Sequence, residues 1–179
     1  LVTKLDSSGT VEWQRTYSSA GFNRDQAIAV AVDDKTSIYV AGAIYSSATN
    51  FDWVILKYGY DGTLEWTYTL NGTANNCDAP AAIKIKNNFV YVTGEVYDSV
   101  TQLNYATIQL NRTTGALNWK REYDFNSLFD IAFAMDISGT STGIKVAGAS
   151  QDNLTKWNYC SISYDSMGVA NDTTRIGGT

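Results

Sequence analysis

The chain holds no histidine, one proline, two cysteines and two methionines in 179 residues. Without histidine there is no Ser-His-Asp or Cys-His catalysis, no imidazole base, and no ligand set for most zinc or copper centres. An enzyme would have to rely on carboxylates, Lys or Tyr, and no catalytic residue, metal or cofactor is expected. Scarce proline, with Tyr, Thr, Val, Ile and Trp in abundance, favours strands. No window approaches the ~20 consecutive apolar residues of a membrane-spanning helix. Basic residues are few as well: 13 Lys and Arg against 18 Asp and Glu give a net charge of -5. That balance argues against a nucleic-acid partner, which needs a basic surface. There is no initiator methionine and no leader pattern, so any targeting segment is expected to lie outside this sequence. Cys77 and Cys160 make no CxxC pair, so zinc is not expected. They are a candidate disulfide, within one chain or between chains, or they remain small buried apolar residues.

What is present is enough for a packed core, with 44% hydrophobic and 13% aromatic residues. It is also periodic. Gly9, Gly62, Gly115 and Gly168 are each 53 residues apart, and Trp13, Trp66 and Trp119 keep the same interval. Asp25, Asp78 and Asp130 follow at 53 and 52, while Gly42, Gly94 and Gly148 come at 52 and 54, as do Trp53, Tyr105 and Tyr159. Such self-similarity marks a repeat architecture.

Each unit reads as four short strands. The first is Leu1–Leu5, then Val54–Tyr58, Ala106–Leu110 and Cys160–Tyr164, each ended by a turn with glycine where positive φ is needed. The second carries the tryptophan. The third (Ala27–Val32, Ala79–Ile85, Ile131–Ile137) alternates large apolar residues with alanine, which suits the innermost strand near a central axis. The fourth (Ile38–Ala41, Val90–Thr93, Ile144–Ala147) ends in glycine, and polar loops Tyr45–Asn50, Tyr97–Asn104 and Gln151–Asn158 follow.

The expected fold class is therefore all-β, a β-propeller-type array of four-stranded antiparallel blades on a ~53-residue repeat. Three full blades are expected at 1–53, 54–105 and 106–159, and a partial fourth at 160–179 consisting of its first hairpin. In that hairpin Asp172 stands at the tryptophan position, while Ile176 matches Leu70 and Gly178 matches Gly72.

The order Asp-Trp-Val-Ile-Leu-Lys-Tyr, Asp-Gly-Thr-Leu-Glu-Trp, Asp78 with its alanine-rich run, then Val-Tyr-Val-Thr-Gly resembles the SBBP-type β-propeller repeat family. The resemblance covers residues 1–164 and fades thereafter. It implies a large secreted or surface-attached protein and says little of activity. A weaker likeness, through Asn111-Arg112-Thr113-Thr114-Gly115-Ala116-Leu117-Asn118-Trp119, is to the quinoprotein-type propeller repeat, where this segment docks adjacent blades.

Candidate functional residues compete with structural explanations. Asp25, Asp78 and Asp130 form a ring of carboxylates or, more simply, accept backbone N–H bonds at a loop-to-strand corner. Trp13, Trp66 and Trp119, with Gly9, Gly62 and Gly115, are expected to pack one blade on the next; the alternative is sugar stacking. Loop aromatics Tyr45, Phe51, Tyr97 and Trp157 are better candidates for ligand contact. Four Asn-x-Ser/Thr sequons, at Asn71, Asn111, Asn153 and Asn171, make N-glycosylation and an extracellular setting an expectation. The first three map to expected loops, and Asn171 lies near an expected strand.

Taken together, the residues predict a non-enzymatic extracellular structural or adhesive scaffold. Its incomplete terminal blade is expected to be completed by another copy, head to tail, or by further blades of the same chain. The rival readings are a carbohydrate- or protein-binding module and a fragment of a quinoprotein-type enzyme.

Overall fold

The structure is a computed structural model that describes residues 1–19, 24–34, 37–138, 143–154 and 156–177. Among these every element is a β-strand, and all pairings are antiparallel. A two-stranded sheet holds β1 (Val2–Leu5) and β2 (Val11–Arg15). The next sheet runs in the order β3 (Gln26–Val32), β4 (Ile38–Ser46), β5 (Asn50–Tyr58), β6 (Leu64–Leu70). Then come β7 (Ala79–Lys86), β8 (Phe89–Asp98), β9 (Gln102–Asn111) and β10 (Leu117–Tyr123). The last sheet is β11 (Asp130–Ile137), β12 (Ile144–Gln151), β13 (Trp157–Tyr164) and β14 (Ala170–Ile176). The chain is thus a partial β-propeller, with three full sheets and one incomplete.

The sheets are out of phase with the sequence units by two strands, so the boundaries expected at 53, 105 and 159 fall inside sheets. The cause is the shortness of the connection after each fourth strand. Ser46 pairs with Asn50 and Asp98 with Gln102, leaving three-residue hairpin loops. Asn50 (φ 66°) and Gln102 (φ 67°) take the left-handed conformation that closes such a loop. The fourth strand of one unit therefore pairs with the first strand of the next. Residues 160–176 complete the third full sheet instead of opening a fourth, and the incomplete sheet is the one at 2–15. Gly178 lies outside the described residues.

Alanine alternation in the third strands serves the inner positions: β3 packs beside β7, and β7 beside β11. Each of these strands carries a bulge, at Ala27/Ala29, Pro80/Ala82 and Ala132/Ala134. The single proline is tolerated because it sits at such a bulge on an edge strand. The glycine expected to end each fourth strand instead lies inside β4, β8 or β12 and faces the bulge. A Cβ on Gly42 would lie 2.3 Å from the Gln26 carbonyl oxygen, on Gly94 2.3 Å from that of Ala79, and on Gly148 2.0 Å from that of Ile131.

Three apolar layers fill the spaces between successive sheets. Trp13 meets Ile38, Val40, Val54 and Leu56. Tyr39, Trp53 and Ile55 meet Val90, Val92, Ile108 and Leu110. Tyr91, Tyr105 and Trp119 meet Ile144, Val146, Cys160 and Ile162. The sheets β3–β6 and β7–β10 thus each present one face to the sheet before and the other to the sheet after.

Candidate functional site

One contact repeats at every junction between sheets. The indole of Trp13 lies on Gly62, that of Trp66 on Gly115 and that of Trp119 on Gly168, each glycine being in the outer hairpin of the following sheet. Their exposures are 8%, 9% and 8%, so the three environments match. Each indole N–H also finds a carbonyl across the gap: Trp13 donates to Tyr60 (2.8 Å), Trp66 to Arg112 (3.1 Å) and Trp119 to Ser166 (3.1 Å). The glycines have φ of +79°, +72° and +76°, which the turns require. Gly9 shares that conformation at +86°, but nothing stands within 4 Å of where its Cβ would be.

A second element of this contact went unread in the sequence. Arg15 Nε donates to the Gly62 carbonyl (2.8 Å) and Arg121 Nε to that of Gly168 (2.7 Å), each guanidinium beside its tryptophan ring. The signal was present as Trp-x-Arg in two units, with Tyr68 at the middle position.

The recurring aspartates sit where one sheet hands the chain to the next. Asp25 accepts N–H bonds from Ser19 (2.6 Å) and Tyr45 (2.9 Å). Asp78 accepts from Gly72 (2.5 Å) and Tyr97 (2.6 Å), and so ties the end of β6 to β8. Asp130 accepts from Phe125 (2.7 Å). These are corner bonds that fasten adjacent sheets. Their titration follows burial. Burial pushes the Asp78 carboxyl up to about 6 despite its two N–H donors, and raises Asp130 as well. In Asp25 the opposing pull of the Tyr45 and Ser19 bonds outweighs burial, and the group sits below the usual carboxylate range. Burial also raises Asp52 and Glu95, the latter helped by the charge of Asp78. Phe51, Cys77, Asp78 and Glu95 line a shallow cleft there with Gln26 and Ile28.

The four aromatics expected in loops are all in strands. Tyr45 is next to last in β4 and meets Phe51 of β5 edge-on, with ring centres 5.3 Å apart, while Tyr97 lies near the end of β8. All three are half-buried. Trp157 opens β13 and is 48% exposed, and Tyr159, two residues on and on the same face, is 51% exposed. The long loops read from Ser, Thr and Asn are in fact continued strands, which is why these side chains moved.

Asn71 and Asn153 are exposed in loops, and Asn171 is exposed in β14. Asn111 is the last residue of β9, not a loop residue, and its Oδ1 accepts from the N–H groups of Thr113 (2.9 Å) and Thr114 (3.0 Å). Thr155, which completes the Asn153 sequon, lies outside the described residues. Cys77 and Cys160 are free thiols, the first exposed and the second buried, so they do not pair with each other. Cys160 stands where Val54 and Ala106 stand in the earlier units and fills the same inter-sheet layer.

A scan against protein-family models finds no match, and a search of the curated proteins finds none either. Among solved structures the chain is similar to the crystal structure of BamB from Moraxella catarrhalis, at 14% identity and a TM-score of 0.38. The match covers 98% of this chain and 58% of that one, so the chain spans under two thirds of its length. No helix among the described residues is long and apolar enough to cross a membrane.

Proposed function

We propose that the chain is a non-enzymatic scaffold of the extracellular space or cell surface, structural or adhesive in use, built from SBBP-type repeats. One observation carries this reading: the side chains that recur from unit to unit are engaged inside the fold. The tryptophans lie on turn glycines and the aspartates on backbone N–H groups, so repetition serves assembly of the sheets and not a reacting centre. Assembly with other strands runs through the open two-stranded sheet, since residues 160–176 already complete theirs. The exposed Asn71, Asn153 and Asn171 favour glycosylation over Asn111, whose side chain is held by its turn.

Secretion from a eukaryotic host tests the setting: a mass excess removed by an endoglycosidase is expected, and an unmodified secreted chain would count against it. A colourless preparation without turnover in the presence of quinones is expected as well, and quinone-dependent turnover would replace the scaffold with an enzyme.

A binding module is the second reading, and Trp157 with Tyr159 favours it. Two exposed aromatics in line on one strand face form a stacking surface for a sugar or an extended peptide. Saturable glycan binding lost in Trp157→Ala would promote this reading over the first.

A further inference from the structure

We propose that the cleft between the β7–β10 and β11–β14 sheets, walled by Glu95 and Phe133, binds a small organic ammonium that carries an apolar body.

Two clefts lie at the same place in successive junctions between sheets. At the first, Gln26, Ile28 and Ala43 form one wall and Cys77, Asp78 and Ala79 the other. At the second, Ala79, Ala81 and Glu95 form one wall and Ile131, Ala132 and Phe133 the other, with Ile28 at the side. Every wall of the second cleft comes from the three full sheets, and none from β1 or β2. Strand register makes the positions equivalent: Ala43 pairs with Gln26, Glu95 with Ala79 and Ala149 with Ile131. Ile28, Ala81 and Phe133 are likewise the bulged residues of β3, β7 and β11.

The second cleft departs from the first in two ways. Ala81 stands where Ile28 stands, which makes room: the second cleft holds about 320 Å³ against about 130 Å³ for the first. Glu95 stands where both other units keep alanine, so a carboxylate replaces a methyl group.

That carboxylate has no counter-charge. Glu95 shares one face of β8 with Tyr91, the face packed toward β11–β14. Among the described residues no side chain donates to it or pairs with it. Burial and the charge of Asp78 raise its carboxyl above the usual range. A cation beside it would offset both the lost hydration and the like charge. Phe133 is exposed and supplies an aromatic wall. An aromatic ring and an unpaired carboxylate in one cleft are the two elements that hold an alkylammonium. The remaining wall at Ile28, Pro80 and Ala81 is apolar and selects a hydrocarbon body. One carboxylate among apolar side chains is too poor a donor set for a metal ion. No cluster of three acidic, thiol or imidazole groups that could hold one occurs among the described residues.

Titration of the full chain with phenethylammonium, followed by amide proton–nitrogen correlation spectra, tests the proposal. Saturable shifts centred on Ala81, Glu95 and Phe133 are expected, with a dissociation constant of about 1 mM or lower. Phenethyl alcohol, which keeps the ring and lacks the charge, should bind at least about tenfold more weakly. Glu95→Ala should remove the same factor while keeping the far-ultraviolet circular dichroism, because alanine fills that position in both other units. Glu95→Gln, which keeps the shape, should do likewise. Ala81→Ile copies the tighter cleft and should weaken binding about tenfold as well. No saturable shift, equal binding of the alcohol, or binding unmoved by the Glu95 variants would each overturn the proposal. Shifts centred on Gln26, Phe51 and Cys77 would put the ligand at the other junction and overturn it too. The inference stands on this cleft and not on the scaffold reading, so either can fail without the other.

Discussion

The ring of Trp66 rests on Gly115 so closely that a Cβ there would sit 2.8 Å from Cδ2 and 2.9 Å from Cε3. The same glycine holds φ at +72°, so two penalties meet at one residue. Left-handed backbone costs a non-glycine residue roughly 1–2 kcal/mol. Gly9→Ala, with open space around it, should lose only about that much, whereas Gly115→Ala should lose about 3 kcal/mol or more. Urea unfolding of both variants checks the difference, which isolates the indole contact.

Removing the indole itself should separate the middle of the array from its end. Trp66→Ala empties the layer between two full sheets and should cost about 3–5 kcal/mol in global unfolding. Trp13 holds only the two-stranded sheet. Trp13→Ala should therefore leave the global transition nearly in place while amides of residues 2–15 lose protection in hydrogen exchange.

Asp78 gives a pH signature. Burial raises its carboxyl to about 6 from an ordinary 3.8, so the folded state binds the proton more tightly than the unfolded chain. The stabilisation is fully present below pH ~3.8 and is lost as pH rises through about 6. At about 1.4 kcal/mol per pKa unit, up to about 3 kcal/mol of stability is tied to this group. Asp78→Asn, which cannot ionise, should be less stable at pH 4 because its amide opposes one of two N–H donors, but should show a flatter stability curve between pH 4 and 6.5. Denaturation midpoints of the two proteins across that window provide the check.

The thiols should differ in reactivity. With Cys77 exposed and Cys160 buried and neither oxidised, a thiol reagent should titrate one group per native chain and two after unfolding. Two slow groups in the native state, or none, would contradict the placement.

The repeat, the strands and the turns were legible because each rests on local chemistry. Asp6 accepts from the N–H groups of Ser8 and Thr10, and Asp165 from those of Met167 and Val169, and a turn glycine stands in each hairpin. The phase of the sheets was not legible. A periodic sequence has no intrinsic start, and the hairpins at Ser46–Asn50 and Asp98–Gln102 are written in the Ser, Thr and Asn that also compose long loops. Tyr45, Phe51 and Tyr97 were misplaced for that reason. The partnership of Arg15 with Gly62 was out of reach because it joins two sheets, and only strand order shows which hairpin follows which tryptophan.

The central claim is that an indole covers the turn glycine of each full sheet and leaves Gly9 bare. Ring-current shifts test it directly. In the proton spectrum of the folded chain, the α-protons of Gly62, Gly115 and Gly168 should be displaced upfield relative to Gly9, and the Gly115 displacement should vanish in Trp66→Leu. Four glycines with the same α-proton shifts, or a Gly115 signal unmoved by Trp66→Leu, would contradict the account.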